Sequence, residues 1–568
     1  MLGWARRYRR RLLAGDISAG IVVAMMMVPQ SMAYAMVAGL PPVAGLYASI
    51  LPPLLYAVFG TSMTQSVGPM AIISLMTASS LAPFAVVGSG LYGVLAAQLA
   101  LMAGAVLLAC GLARVGFIAN FFSRPVMSGF TLGSALLIAW GQMPVLLGGS
   151  AAGAIVTPYL SLHPASAVFG VAGVLALIAS RRWLASLLKH LGLPAGAASI
   201  GARLAPMLVV VLGSVAVAAG LGHGVATIGA VPAGLPSLNL ATASNYWKPL
   251  MQPALLIGFM VFLISMSSAQ ALAQAAPREG DLGENGDGGD GDPVPAKPSA
   301  NMELVGLGVA NIGSALSGGF AVTGSMSRGA VNHAAGANTP LASVISALLL
   351  ALALVAPTGY LSLVPMPVLA ATIIVAVLGM LELDTLKTAL RYDRGDALAL
   401  AGTAGGVLVA GVEAGVVIGL LLSMGTLIVR ASRPHIAVLG RIAGSEHFRN
   451  VERYPGRTDA ALLFMRVDAF LFFGNMEAVS ARIDEEVAAR PLLRHLVLVL
   501  SAVNAVDTSA LFGLAEINRQ LRARGVTLHL AEVKGPVMDR LKAVDLLQAL
   551  SGKVYLSTAN AWDDLTAR

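Results

Sequence analysis

Ser66-Val67-Gly68-Pro69-Met70-Ala71 and Phe320-Ala321-Val322-Thr323-Gly324-Ser325-Met326-Ser327-Arg328 are the two stretches that decide the fold. Both lie inside strongly apolar sequence, yet neither reads as plain helix. Gly68, Pro69 and Gly324 open turns, Pro69 suits a first helical turn, and the hydroxyls of the second stretch can cap free N–H groups. Each therefore reads as a short extended segment leading into a helix. They occupy the third segment of each half of the chain. Short, Gly/Pro-interrupted segments at corresponding positions of two halves point to an inverted-repeat transporter with its site between half-helix N-termini. Each such end carries about half a positive charge and unpaired N–H groups, so two facing ends attract an anion without any full charge.

The sequence around these stretches is solvated by lipid. Of 568 residues, 57% are hydrophobic and 11% charged, with a mean hydropathy of +0.79, which excludes a soluble protein. No Asp, Glu, Lys or Arg occurs from Ile17 to Ala113, and no acidic residue from Ile17 to Arg278. At about 20 residues per crossing, spans are expected at 17–37, 43–60, 66–83, 91–113, 125–148, 165–188, 204–222, 249–274, 303–319, 324–338, 340–356, 366–381, 397–412 and 413–430. Several are too short to cross alone. Ile17 to Leu40 is long and lacks a clear cleavage site, so it reads as a first span and not a signal peptide.

Placing the N-terminus inside puts Arg114, Arg124, Arg181, Arg182, Lys189, Arg203, Arg278, Lys297, Lys387, Arg391, Arg394, Arg430 and Arg433 inside and leaves only Lys248 outside. The expectation is an α-helical polytopic protein of the inner membrane, with fourteen segments in seven-plus-seven repeats and both termini cytoplasmic. Residues 1–16 form a basic cytoplasmic segment anchored by Arg6, Arg7, Arg9, Arg10 and Arg11, and 17–432 the membrane domain. The loop at 277–300 is rich in Gly, Asp and Pro and cannot bury a core. Its Asp287, Asp290 and Asp292 lack the ligand alternation of a calcium loop, so it reads as a linker between the repeats. After a linker at 433–458, apolar runs at Ala461–Val467, His495–Val503 and Val526–Val533 alternate with amphipathic runs at Met476–Arg490, Leu511–Arg524 and Pro536–Leu550, a small α/β domain over 459–568.

The formal charge of +8 and pI near 9.7 suggest nucleic acid, but no long basic, aromatic-studded face follows, which excludes it. Cys110 is the only cysteine, so there is no disulfide framework and no Cys-based metal site. With no nucleotide loop, metal cluster or nucleophile–base pair, no enzyme activity and no cofactor are expected.

Among the candidate site residues Arg328 stands out. An Arg at the bilayer centre costs about 3 kcal/mol on insertion scales and should face a partner or a wet cavity. It reads either as a positive field for an anion, or as the partner of the intramembrane Glu413 or of loop carbonyls. Gln30 and Tyr34, four apart on one helix face, read as polar lining or as interhelical hydrogen bonding. In the eighth segment Ser265, Ser267 and Ser268 read either as lining or as small-residue packing. His333 reads as a helix-end residue facing the cytoplasm. In the C-terminal domain Asp507-Thr508-Ser509 reads as a helix cap.

The stretches VPQSMAYAMVAGLPPVAGLY (28–47), SVGPMAIISL (66–75), FFSRPVMSGFTLGSALLIAWGQM (121–143), VTGSMSRGAVN (322–332) and RPHIAVLGRIAGSEHFRNVERYP (433–455) closely resemble the sulfate permease (SulP) family of anion transporters. The C-terminal domain is similar to the STAS (sulfate transporter and anti-sigma factor antagonist) module, and the resemblance to anti-sigma antagonists implies Ser509, in the loop before the Leu511 helix, as a phosphorylation candidate, where a phosphate would sit well at a helix N-terminus. The resemblance implies a core domain moving against a gate domain, homodimers, cytoplasmic STAS domains open to a partner, and an anion held between the third and tenth segments and lined from the first. Carried onto this chain, it nominates Gln30, Tyr34, Met70, Ala71, Ser325, Met326, Ser327 and Arg328 as substrate-binding residues. Many members resemble F-x-E-S in the eighth segment, whereas Phe262-Leu263-Ile264-Ser265 places Ile264 where the Glu would stand. Ile264 can neither bind a proton nor satisfy sodium, so exchange or uniport is expected unless Glu413 supplies a coupling site. The expected function is secondary active transport of a small anion by alternating access. Sulfate is favoured; bicarbonate, chloride, nitrate and dicarboxylates would use the same field. The alternatives are an anion-responsive sensor signalling through the STAS domain and a nucleobase-type proton symporter of the same architecture.

Overall fold

A computed structural model describes residues 3–6, 8–117, 123–149, 163–238, 240, 242–275, 298–356, 358–381, 383–544 and 546–567. The loop expected between the repeats, with Asp287, Asp290 and Asp292, lies outside the described residues. The chain divides into two units, Met1–Ser423 and Met424–Arg568.

A short α1 (Gly3–Arg6) precedes α2 (Leu13–Val37), the first long apolar helix; α3 (Pro42–Tyr47) and α4 (Leu51–Phe59) follow as one broken span. β1 (Ser66–Gly68) then leads into α5 (Ala71–Leu81). α6 (Gly90–Leu112) starts where the Ser89 hydroxyl accepts from the Tyr92 N–H at 3.2 Å. α7 (Arg124–Leu147), α8 (Pro164–Ala179), α9 (Ala185–His190), α10 (Ala195–Arg203), α11 (Ala205–Ala218) and α12 (Trp247–Ala275) complete the first half. The second half runs α13 (Ala300–Leu316), β2 (Thr323–Ser325), α14 (Met326–Ala334), α15 (Leu341–Val355), α16 (Met366–Leu378), α17 (Leu383–Tyr392), α18 (Arg394–Ala410) and α19 (Val412–Ser432). Among the described residues seven helices are long and apolar enough to cross a membrane. The half-helices α5 and α14 are far shorter, as the Gly/Pro interruptions predict. α17 lay in no expected span; it is a short amphipathic helix with Asp384, Lys387 and Arg391 on it.

Without a hydrophobic force between helices inside lipid, close packing has to come from small residues. α6 and α13 show this: a Cβ on Gly308 would lie 2.7 Å from the Leu108 backbone nitrogen, and one on Gly104 2.8 Å from the Gly308 carbonyl oxygen. Alanine at either position would push the two helices apart.

The second unit is a six-stranded sheet in the order β4 (Phe448–Asn450), β3 (Ile436–Arg441), β5 (Leu462–Val467), β6 (His495–Val499), β7 (Thr527–Ala531), β8 (Val554–Tyr555). β5 to β8 are parallel, and β3 is antiparallel to both β4 and β5. The helices are α20 (Met476–Ala488), α21 (Thr508–Ala523), α22 (Gly535–Lys542), α23 (Leu546–Ala549) and α24 (Thr558–Thr566). Residues 433–458, expected to be a linker, contribute two strands: Ile436, Ala437, Val438 and Leu439 pair with Val467 to Phe464. Ser509 does not precede the helix but lies exposed in the first turn of α21. Asp507 caps that helix, accepting from Ala510 N at 2.7 Å and from Phe473 N at 3.0 Å. Asp507→Ala leaves both N–H groups without this acceptor, and a loss of about 1 kcal/mol of stability is expected in urea denaturation of the detergent-solubilised protein; an unchanged midpoint would show that water replaces the cap.

Candidate functional site

Extended backbone at membrane depth survives only if its N–H and C=O groups find partners within the protein. β1 and β2 supply them to each other as an antiparallel pair, Ser66 opposite Ser325, Val67 opposite Gly324 and Gly68 opposite Thr323. Side chains extend the ladder. Asn311 acts as a substitute strand for Val322, its Nδ2 donating to the Val322 carbonyl at 3.0 Å and its Oδ1 accepting the Val322 N–H at 2.9 Å. The Ser314 hydroxyl donates to Phe320 O, and Thr323 Oγ1 donates to Val261 O. On the other side Asn332 Nδ2 donates to Thr64 O at 2.9 Å. Gln65 Nε2 donates to Ser265 Oγ at 2.6 Å.

Because the strands are antiparallel and each continues into a helix, the N-termini of α5 and α14 face each other across the ladder. Ala71, fully buried, starts α5, and no side chain caps it from Met70. Pro69 therefore precedes the helix by two residues and does not occupy its first turn. Met326 starts α14, where Ser325 Oγ accepts from Arg328 N at 3.4 Å and shares a hydrogen bond with Ser327 Oγ at 3.2 Å.

Arg328 rises from the first turn of α14 and reaches across to the other half. Its Nη1 donates to the Pro69 carbonyl at 2.7 Å, and Nη2 lies 3.4 Å from where a Cβ on Gly68 would be. The residue is 1% exposed, yet among the described residues its Nε and Nη2 have no hydrogen-bond partner. The pairing with Glu413 does not occur. Ser80, in the last turn of α5, donates to Glu413 Oε1, and nine helical residues place that contact about 14 Å from the N-terminus of α5.

α2 packs on both half-helices. Its Met27 Cε lies 3.1 Å from the same Gly68 Cβ position, and Gln30 and Tyr34 continue that stripe at helical spacing. Gln30 Oε1 is buried without a partner among the described residues, and Tyr34 is within electrostatic reach of Arg328. Met70, Ala71 and Ser325 are buried, whereas Met326 and Ser327 are exposed, so the N-terminus of α14 opens on one side. The structure thus brings the residues from the first, third and tenth segments to one crossing. In α12, Ser265 anchors Gln65, Ser267 is exposed, and Ser268 Oγ is buried without a partner. His333 is half-buried at the end of α14.

Two buried carboxylates escaped the sequence reading. Glu303, in the first turn of α13, accepts from Tyr56 OH at 2.7 Å, Thr61 Oγ1 at 2.5 Å, Thr61 N at 2.9 Å and Ser62 N at 3.1 Å. Tyr56 OH also reaches Gln65 Oε1 at 3.1 Å, so the network ends one residue before β1. Asp16, at the start of α2, accepts from Asn338 N, Thr339 N and Thr339 Oγ1 and ties α2 to the segment after α14. Both are 0% exposed. The signal available was a lone acidic residue at the edge of an apolar run.

Long apolar helices, two interrupted segments paired as antiparallel strands and a buried arginine between their helix ends define a multi-pass membrane transporter. The sequence matches the Sulfate permease family over residues 13–282 and 295–403 and the STAS domain over residues 451–561. The chain belongs to the sulfate permease family, whose members are transporters and not enzymes. It is 33% identical over 565 residues to "Probable sulfate transporter MT1781" of Mycobacterium tuberculosis, covering 96% of this chain and 95% of that one. It is also 33% identical over 571 residues to sulfate transporter 4.1, chloroplastic, of Arabidopsis thaliana, covering 97% and 79%. The fold is that of the murine Solute Carrier 26 family member A9 anion transporter in the inward-facing state, with TM-score 0.83 at 20% identity over 100% of this chain and 94% of that one.

Proposed function

We propose that this protein carries a small oxyanion, sulfate foremost, across the inner membrane by alternating access, holding it at the crossing of β1 and β2. One observation carries the reading: Arg328 is buried with two guanidinium nitrogens unpartnered, at the N-terminus of one half-helix and touching the strand that feeds the other. Arg328 and the two helix ends together supply about two positive charges, which balances a dianion. Gln30 and Tyr34 line the space from α2, and Met70, Ala71, Ser325, Met326 and Ser327 frame it. The chain works as a homodimer with both termini and the STAS domain in the cytoplasm, where Ser509 is open to phosphorylation and the domain to a partner. Counterflow of labelled sulfate in proteoliposomes, with bicarbonate, chloride, nitrate, fumarate and succinate as competitors, tests the reading. Binding without counterflow of any of these would instead favour an anion sensor.

Transport proceeds as exchange or uniport, because Ile264 offers no group for a proton or sodium and Glu413 is engaged at the far end of α5. An anion moving alone works against the membrane potential at about 2.3 kcal/mol per charge per 100 mV, which exchange avoids. Proton or sodium gradients imposed without a potential are expected to drive no uphill accumulation. Accumulation that persists in Glu413→Gln would overturn the coupling argument.

A further inference from the structure

A second cationic group stands beside an open cavity of the membrane unit. α8 does not pass straight into α9: from Ser180 to Leu184 the chain widens into a π-turn, an insertion that re-aims the side chains it carries and recurs at functional positions. Arg181 and Arg182 sit in this turn and, with Val174, Ile178, Val375 and Gly379, line a cavity of about 450 Å³ between α8 and α16. That volume admits a sulfate ion with several waters.

Arg181 is held in a specific place. Its guanidinium lies on the C-terminal end of α16, where a Cβ on Gly379 would collide with Nη1 and come within 2.9 Å of Nη2. Gly379 is the C-cap of α16, and the negative end of that helix dipole steadies the cation while neutralising only part of it. Among the described residues no carboxylate acts on Arg181; the side chain within its electrostatic reach is Tyr34 of α2, on which α16 packs directly. Tyr34 is also within reach of Arg328. The Tyr34 phenol is thus within electrostatic reach of both guanidiniums, one at the half-helix crossing and one beside the cavity.

We propose that Arg181 is a second cationic station for the transported anion, holding a small oxyanion in the cavity between α8 and α16 before it moves on to Arg328. The inference rests on the anion-transport reading above. Arg328 is dehydrated and binds by hydrogen bonds. Arg181 is exposed, so it acts on the ion chiefly through charge, and its effect has to scale with the charge of the ion and fall with salt.

The test is tracer uptake by the full-length protein in proteoliposomes, with sulfate and nitrate as the probes. Doubling the charge of the ion squares the fold-change, so Arg181→Gln is expected to raise KM about two-fold for nitrate and about four-fold for sulfate, with kcat kept and both shifts vanishing at high ionic strength. Gly379→Ala keeps the charge but displaces the guanidinium from its resting place, and is expected to shift KM the same way by less. Equal KM values for wild type and Arg181→Gln with both anions would overturn the proposal, as would equal fold-changes for the two. Vesicles of phosphatidylcholine with and without phosphatidylglycerol separate the other source of an oxyanion: an effect confined to phosphatidylglycerol vesicles would assign Arg181 to a lipid phosphate and overturn the proposal. Wild-type protein that moves neither anion would overturn both readings, and that outcome alone touches the underlying one.

Discussion

Arg328→Ala is expected to lower kcat/KM for anion uptake by about two orders of magnitude or more while leaving a folded protein. A hydrogen bond to a charged group contributes about 1.5–3 kcal/mol, and two unpartnered nitrogens of Arg328 are available to make one each. In a dehydrated site water does not replace them. Folding should suffer little, because the substitution removes a buried charge whose own insertion is unfavourable, and only Pro69 O loses a donor. Arg328→Lys retains the charge but not the planar fork, and should recover part of the rate with a raised KM. Uptake kinetics of the alanine variant equal to wild type, in protein that elutes normally on size exclusion, would falsify the site assignment.

Glu303→Gln should behave in the opposite way, with the fold lost before the chemistry. The carboxylate accepts four hydrogen bonds and faces no acceptor in that set. An amide whose oxygen keeps Thr61 and Ser62 turns its NH2 toward the Tyr56 hydroxyl, which then accepts and gives its proton to Gln65 Oε1, and the three bonds that remain lose the charge that strengthened them. Hydrogen bonds to a charged group exceed neutral ones by about 1 kcal/mol each, so for the three at Thr61 and Ser62 a loss of about 3 kcal/mol is expected. It would appear as poor expression and a markedly lowered Tm in detergent. Because Tyr56 bridges Glu303 to Gln65 beside β1, any protein that does fold should also show a raised KM. A Tm equal to wild type would show that the network is not structural.

Residues whose meaning is local were legible in the sequence. Gly68-Pro69 and Gly324 break an apolar run wherever they stand, and Arg328 is anomalous at membrane depth whatever surrounds it. Residues whose meaning lies in a distant partner were not. Glu303 at a helix start resembles any interfacial carboxylate until Tyr56, Thr61 and Ser62 arrive from another segment. Asn311 and Gln65 are single amides whose worth appears only once Val322 and Ser265 lie beside them. Glu413 failed as the partner of Arg328 for the same reason, since intramembrane charges of opposite sign invite pairing on paper while the fold sets Glu413 against Ser80. β4 was hidden by its short length, and β3, as long as β5, by the charged, turn-rich stretch Glu446–Arg457 that follows it. The π-turn at Ser180–Leu184 leaves no mark, because one extra residue in a helical turn does not alter composition.

The β1–β2 pair also constrains how the protein is made. Pro69 and Arg328 are 259 residues apart, and non-local strand pairing waits for the later partner. While the ribosome is still working through the first half, β1 is in or beside the bilayer with its peptide groups unmatched, a state that lipid penalises. Biogenesis therefore has a vulnerable interval that closes only when β2 and the amide of Asn311 arrive. A nascent chain stopped before Thr323 should be a preferred target for membrane quality control, whereas one extended through α14 should escape it.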